Sequence, residues 1–332
     1  MKKINILTCA MVALIMACAN NDEQENVPNN YPTDNIIRVT AGVSNPMTRG
    51  GETGTPALSP YAGDFMLTVV NSTNDKYTYA NKLFTYDTNT TSWNCSKTLL
   101  WQNGTTPVKI AAVAPYDAKY EVYTNRECSF QYHLNSNQAT TDPKNDLLCY
   151  HNGSFTPEKS LNSDGKLQLT LSHAFCLFDI NIKLGTEFNT KDGLSADPIQ
   201  SATISGIYNH ADINVWSTKL VNVITDGVWG VRENIIATPG TFTFVTNEKE
   251  NAKKQFSCIV LPQTLSKDHF VVTLQTTAGK KYEWSPTEDI TILSGKKYTL
   301  NLSLGDNKLV LNGGGITANA WGDENRKSIE TD

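Results

Sequence analysis

The apolar residues of this chain come in short runs, most of them alternating with a period of two, and no window repeats at three or four. FMLTVV (65–70), KLFTYD (82–87), VKIAAVAP (108–115), KLQLTL (166–171), TFTFV (241–245), HFVVTLQT (269–276) and KKYTLNLSL (296–304) read as strands. Between them stand turn dipeptides: Asn103-Gly104, Asp164-Gly165, Asp226-Gly227, Ala278-Gly279 and Ser294-Gly295. Without a strand–helix–strand rhythm, a parallel sheet has no crossover to build it. The pattern therefore predicts an all-β chain of antiparallel sandwiches.

Composition agrees and narrows the function. Hydrophobic residues make up 39% of 332 and charged residues 18%, enough apolar surface for real cores and too little charge for a disordered chain or a long coiled coil. The formal net charge of −5 offers no basic field, so nucleic acid is excluded as a partner.

One stretch marks a change of core. In LQLTLSHAFCLFDINIKL (167–184), Leu167, Leu169 and Leu171 share one parity, whereas Phe178, Ile180, Ile182 and Leu184 share the other. Such a shift turns every side chain to the opposite face, so it needs a bulge or a handover between two cores near Ser172–Cys176. Two sandwich-sized domains, 36–165 and 166–332, follow from this reading.

The first residues read as an address. Lys2 and Lys3 precede a mainly apolar run from Ile4 to Met16, shorter than the ~20 residues a membrane-spanning helix needs. Ile15-Met16-Ala17-Cys18 resembles a bacterial lipobox, which makes 1–17 a signal peptide and Cys18 the site of acylation. The plainer alternative is a secretory signal with an incidental cysteine. Residues 18–35 are polar and rich in Asn and Pro, a flexible tether, and Asp22, Glu23 and Glu25 resemble the surface-export signal of lipoproteins in Bacteroides-type bacteria. Loss of two lysines with the signal takes the charge from −5 to −7.

Catalytic chemistry is missing from the sequence. Of seven cysteines, five lie beyond Cys9 and Cys18; none forms a CxxC, and several sit in apolar runs as small hydrophobes. The histidines show no i, i+4 pair, and His173 in SHAF reads as structural. No nucleophile elbow, zinc-protease or phosphate-loop pattern is present, so no catalytic residue, cofactor or metal site is assigned. Six tryptophans could pack in cores or line a sugar-stacking platform. A monomeric surface lipoprotein that binds glycans or host ligands is the rival reading.

The order of the segments carries a resemblance. IVLPQTLS (259–266), HFVVTLQT, KKYEW, LSGKKYTLNLSL (293–304) and GGGITANAWGD (313–323) follow one another as in the fimbrillin family of Bacteroides-type bacteria. TSWNCSKTLLWQNGTTPVKIAAVAPY (91–116) resembles that family's paired-tryptophan strand, and Asp146-Leu147-Leu148 precedes a strand ending in His173 as it does there. Ile36-Ile37-Arg38-Val39 followed by Met47-Thr48-Arg49-Gly50 resembles its first strand and its Thr-Arg processing site. The resemblance implies two transthyretin-like Greek-key sandwiches, lipidation, export and assembly into surface fimbriae at the outer membrane. It further implies cleavage between Arg49 and Gly50 by an Arg-specific protease, and removal of a strand carrying Ile37, Val39 and Ala41. Partners would be other fimbrial subunits, the outer-membrane lipid through Cys18, and a host or bacterial surface ligand for a tip role. The segment 305–325, with Ile316, Ala318 and Ala320 in one parity, is either a donor strand for a neighbour or the last strand of its own sheet.

Overall fold

A computed structural model describes residues 30–44, 59–60, 63–117, 128–185, 197–243, 252–305 and 308–321. The strands run β1 (Val39–Val43), β2 (Ser59–Pro60), β3 (Phe65–Val70), β4 (Tyr79–Asp87), β5 (Ser92–Cys95), β6 (Val108–Ala114), β7 (Ser129–His133) and β8 (Leu148–Phe155). They continue with β9 (Leu167–His173), β10 (Cys176–Leu184), β11 (Ile199–Tyr208), β12 (His210–Asn214), β13 (Val221–Val223), β14 (Arg232–Ile236) and β15 (Thr238–Thr243). The last are β16 (Lys253–Val260), β17 (Thr264–Leu265), β18 (Val271–Thr276), β19 (Lys281–Trp284), β20 (Ile290–Thr291), β21 (Lys296–Leu304) and β22 (Leu309–Ala320). Among the described residues α-helix is confined to one turn, Pro157–Ser160.

Eight strands form the first sheet, in the order β2-β1-β9-β8-β6-β3-β4-β5. The sheet curls until its first segment meets the chain after β5: the Ile37 N–H donates to the Leu99 carbonyl at 2.9 Å, and the Trp101 N–H to that of Asn35 at 2.8 Å. Inside lie Ile37 just before β1, Val39 and Ala41 from β1, Leu167, Leu169 and Leu171 from β9, and Phe65, Leu67, Ile110 and Trp101. Each fully buried leucine contributes about 2 kcal/mol by removal from water. The hairpin that launches β9 turns at Gly165, where φ is +69° and a Cβ would stand 2.6 Å from the Asn30 carbonyl oxygen. Glycine is required there on both counts.

Five strands, β15-β16-β10-β21-β22, and four, β14-β11-β18-β19, enclose the second core. Phe178, Ile180 and Ile182 of β10 meet Phe256, Leu300, Ile204, Val272 and Phe270 there. The parity shift after β9 is this handover: the three leucines face one core, and the β10 residues face the other. It falls at Ala174–Cys176, so β9 belongs with the first sheet and not with residues beyond 165. A second departure from a 165/166 division is β7, which pairs with β12 of the later chain. A bulge at Gly206, in the pairing of β11 with β14, lets both Ile204 and Ile207 point inward. A Cβ at Gly206 would sit 1.9 Å from the His269 carbonyl.

The two cores share a wall. Met66, Ala111, Val113 and Cys149 point from the first sheet into the second core, while Leu67, Ile110 and Ala112 point into the first. Strands covered on both faces lose their alternation, which explains why FMLTVV and IAAVA read as continuous apolar runs.

The sheets are mixed, not purely antiparallel. β1 runs parallel to β9, from Val39 opposite Leu167 to Val43 opposite Leu171, and β10 runs parallel to β21. These partners lie more than 100 residues apart, so other sheet strands stand in for the crossover helix whose absence argued against parallel pairing. Cys128, Cys149, Cys176 and Cys258 are buried, and burial pushes the Cys149 and Cys176 thiols far above the usual range.

Candidate assembly surfaces

Strand β1 is a short apolar ribbon seated on one long neighbour. Ile37, Val39 and Ala41 are only 5%, 6% and 5% exposed and fall on one face. Five consecutive residues pair with β9; on the other side, among the described residues, pairing is confined to the two ends of the segment, Ile36 and Ile37 with Leu100 and Leu99, and Gly42 and Val43 with the two residues of β2. The ends are fastened by short polar contacts. The Arg38 guanidinium makes two hydrogen bonds to the Asp34 carboxylate, at 3.0 and 2.6 Å, and the Ile36 N–H donates to the same group at 3.0 Å. Those bonds, the Arg38 fork foremost, hold the Asp34 carboxyl down at about 2. At the far end the Ser44 N–H donates to the Leu171 carbonyl at 2.7 Å.

The space around β1 is not filled. An open groove of about 380 Å³ runs along it, lined by Ile37, Val39, Phe84, Trp93 and Leu99 among others. Without β1, the β9 edge would present bare N–H and C=O groups beside a trough of Leu99, Trp101, Leu167, Leu169 and Leu171. Leu99 and Trp101 belong to the paired-tryptophan segment, but the sequence does not place them under the first strand. Trp101 lies beyond the strand runs, and only the curl of the sheet sets it under β1, stacked on Phe155 at 5.7 Å.

At the other end of the chain, β22 is the edge strand of the five-stranded sheet. It pairs antiparallel with β21, from Lys296 opposite Ala320 to Leu304 opposite Leu309. Ile316 and Ala318 lie against the second core, half-buried, with Ala320 in the same parity. The glycine-rich stretch forms an irregularity opposite Asn301, and Leu311 and Val310 stand exposed beyond it. The strand is pinned where it ends. Trp321 is buried, stacks on His173 with ring centres 3.8 Å apart, and donates its backbone N–H to the Gly295 carbonyl at 3.0 Å. His173 Nδ1 in turn meets Asp146 Oδ1 at 2.9 Å. The two candidate strands therefore belong to different cores, and β22 occupies its own sheet. Cys18, Arg49 and Gly50 lie outside the described residues.

A sugar-stacking row of tryptophans does not form among the described residues. Trp101 and Trp321 are buried, Trp93, Trp216 and Trp284 are half-buried, and Trp229 is exposed by itself.

The model of the fimbrillin-like family matches residues 58–321. The chain belongs to the fimbrillin-like family. No curated protein sequence matches it. Two crystal structures share the fold of this fimbrillin-like chain: a candidate cell adhesion protein from Bacteroides ovatus, with a TM-score of 0.59 at 11% identity, and one from Bacteroides uniformis, with 0.53 at 16%. Each alignment covers 87% of this chain and 99% of the other. The all-β architecture is thus common to them, and family membership makes this a fimbrial or adhesion subunit of structural type at the cell surface, with other subunits as partners.

Proposed function

We propose that this fimbrillin-like subunit matures by losing its first strand and joins a neighbour by taking a strand into the vacated groove. The observation that carries this reading is the first strand: a one-sided apolar row on β9, paired on its other edge only at its two ends among the described residues, followed within six residues of β1 by Arg49 in a Gly-, Pro- and Thr-rich segment. Cleavage after Arg49 by an Arg-specific protease would free residues up to Arg49. An incoming strand would recover the β9 main-chain bonds and fill the pockets of Ile37, Val39 and Ala41. Acylation of Cys18 would hold the precursor at the outer membrane until that cut. We read the two cores as two sandwich domains, with the handover at Ala174–Cys176.

For β22 the pairing with β21 and the Trp321–His173 stack favour a strand that stays in its own sheet. A subunit that accepts a strand without giving one sits at an end of a fibre, where a surface ligand could be met. N-terminal sequencing of protein extracted from the cell surface tests the cut. A start at Gly50 supports strand removal; lipid-modified Cys18 on all of the material refutes it and returns a stand-alone lipoprotein.

A further inference from the structure

The corner where β11 passes into β12 gathers polar groups that assembly does not use. His210 opens β12 directly across from His133 of β7, and cross-strand partners share a face with their Cβ atoms about 5 Å apart. Their rings stack with centres 4.0 Å apart and planes 9° apart. Glu233 arrives from β14, a strand of a different sheet, and sets Oε1 4.0 Å from His133 Nε2 and 3.9 Å from His210 Nδ1. All three donor atoms fall within 4.8 Å of one another.

The surroundings provide for the carboxylate and for His133, whose Nε2 lies 3.2 Å from Asn209 Nδ2 in a contact that an ion would replace, but not for the His210 imidazole. Glu233 Oε2 accepts from Asn209 Nδ2 at 2.7 Å and from Ser136 Oγ at 2.9 Å, which turns Oε1 toward the two rings. Outer hydrogen bonds of this kind orient a ligating carboxylate. Both ring nitrogens of His210 are buried with no hydrogen-bond partner, a costly state for polar atoms unless something else binds them. Neutral imidazole is the form that ligates.

We propose that His133, His210 and Glu233 bind a divalent transition-metal ion of the zinc type at the junction of the three-stranded and four-stranded sheets. Two imidazoles and a carboxylate suit zinc, nickel or copper, whereas calcium and magnesium prefer oxygen alone. Donors about 2.1 Å from a tetrahedral ion stand roughly 3.4 Å from each other, so the two His–Glu separations close by about half an ångström and the His–His one by at most about 1.4 Å. One ring must also leave the stack for its lone pair to converge on the ion. His133 can do this, because its side chain is 54% exposed. The bound ion would tie β7 and β12 to β14 and stabilise the corner by mass action. Trp229, 53% exposed with its ring 4.7 Å from that of His210, lies beside the site as a reporter.

The test is calorimetric titration of tag-free, chelator-treated protein with Zn²⁺, beside the variants His133→Gln and Glu233→Gln. One ion per chain, saturating below about 100 µM and weakened at least about tenfold in each variant, supports the site. Cu²⁺ should quench part of the tryptophan emission, and Trp229→Phe should remove that part. His133→Gln changes an exposed side chain, so its apo unfolding midpoint should match the wild type and its binding defect cannot be laid to misfolding. No saturable Zn²⁺ binding at that concentration, or undiminished binding in both variants, overturns the proposal.

Discussion

Replacing Ile37 and Val39 together by alanine removes five carbon atoms from the face of β1 that lies in the first core. Both residues are about 95% buried. At about 0.8 kcal/mol per buried carbon the transfer loss is about 4 kcal/mol, and residual cavities raise it where the site does not collapse. Because the segment is held on one side only at its ends, by β2 and by the Ile37–Leu99 bond, and already borders a groove, the strand can settle partway and keep the total near 3–5 kcal/mol. The main-chain bonds to β9 remain possible, so the loss should show as opening of β1 before unfolding of the sheet. Hydrogen exchange on peptides covering 167–173 reads this opening directly, since β9 amides on that edge lose their partners when β1 leaves. The double variant should exchange there about 100-fold faster or more, as 3 kcal/mol implies, while peptides from β10 and β21 stay at the wild-type rate. Unchanged protection over 167–173 would refute the claim that this apolar row holds β1 in place. An equal rise in both cores would refute its local character.

Further outcomes follow from the same geometry. Trp321→Ala removes the ring stacked on His173 and should cost about 3 kcal/mol in urea unfolding of the second core, with faster exchange along β22. Gly165→Ala combines a positive φ with a 2.6 Å approach to a carbonyl oxygen, and should destabilise by about 1–3 kcal/mol, read as a lower thermal midpoint. The Asp34 carboxyl should titrate at about 2 by NMR, and its midpoint should rise in Arg38→Ala. Its folded pKa lies below the unfolded value, so whatever this fork adds is present at neutral pH and fades as the pH falls through the carboxylate range toward 2.

Much of the fold was legible in local pattern. The period-two runs became strands, and the parity change at 167–184 became the passage from one core to the other. The handover lies where the parity change places it, near Ser172–Cys176, whereas the 165/166 division of domains cuts β9 from the first sheet to which it pairs. The row Ile37, Val39, Ala41 was visible for the same reason, since alternation states which residues share a face. Trp101 under β1, and the His133, His210 and Glu233 cluster, were not. Their members lie far apart in the chain, and no spacing rule connects them.

Local alternation and turn chemistry by themselves determined that this chain is all β, with two sets of inward-facing residues, because side-chain direction in a strand depends only on residue number. Which strands become neighbours was decided by the tertiary structure. The parallel seating of β1 on β9, the wall buried on both faces, and the pinning of β22 by Trp321 on His173 each depend on contacts across at least 100 residues. Such contacts are chosen by how whole sheets close over their apolar faces, and a periodicity of two carries no record of the partner.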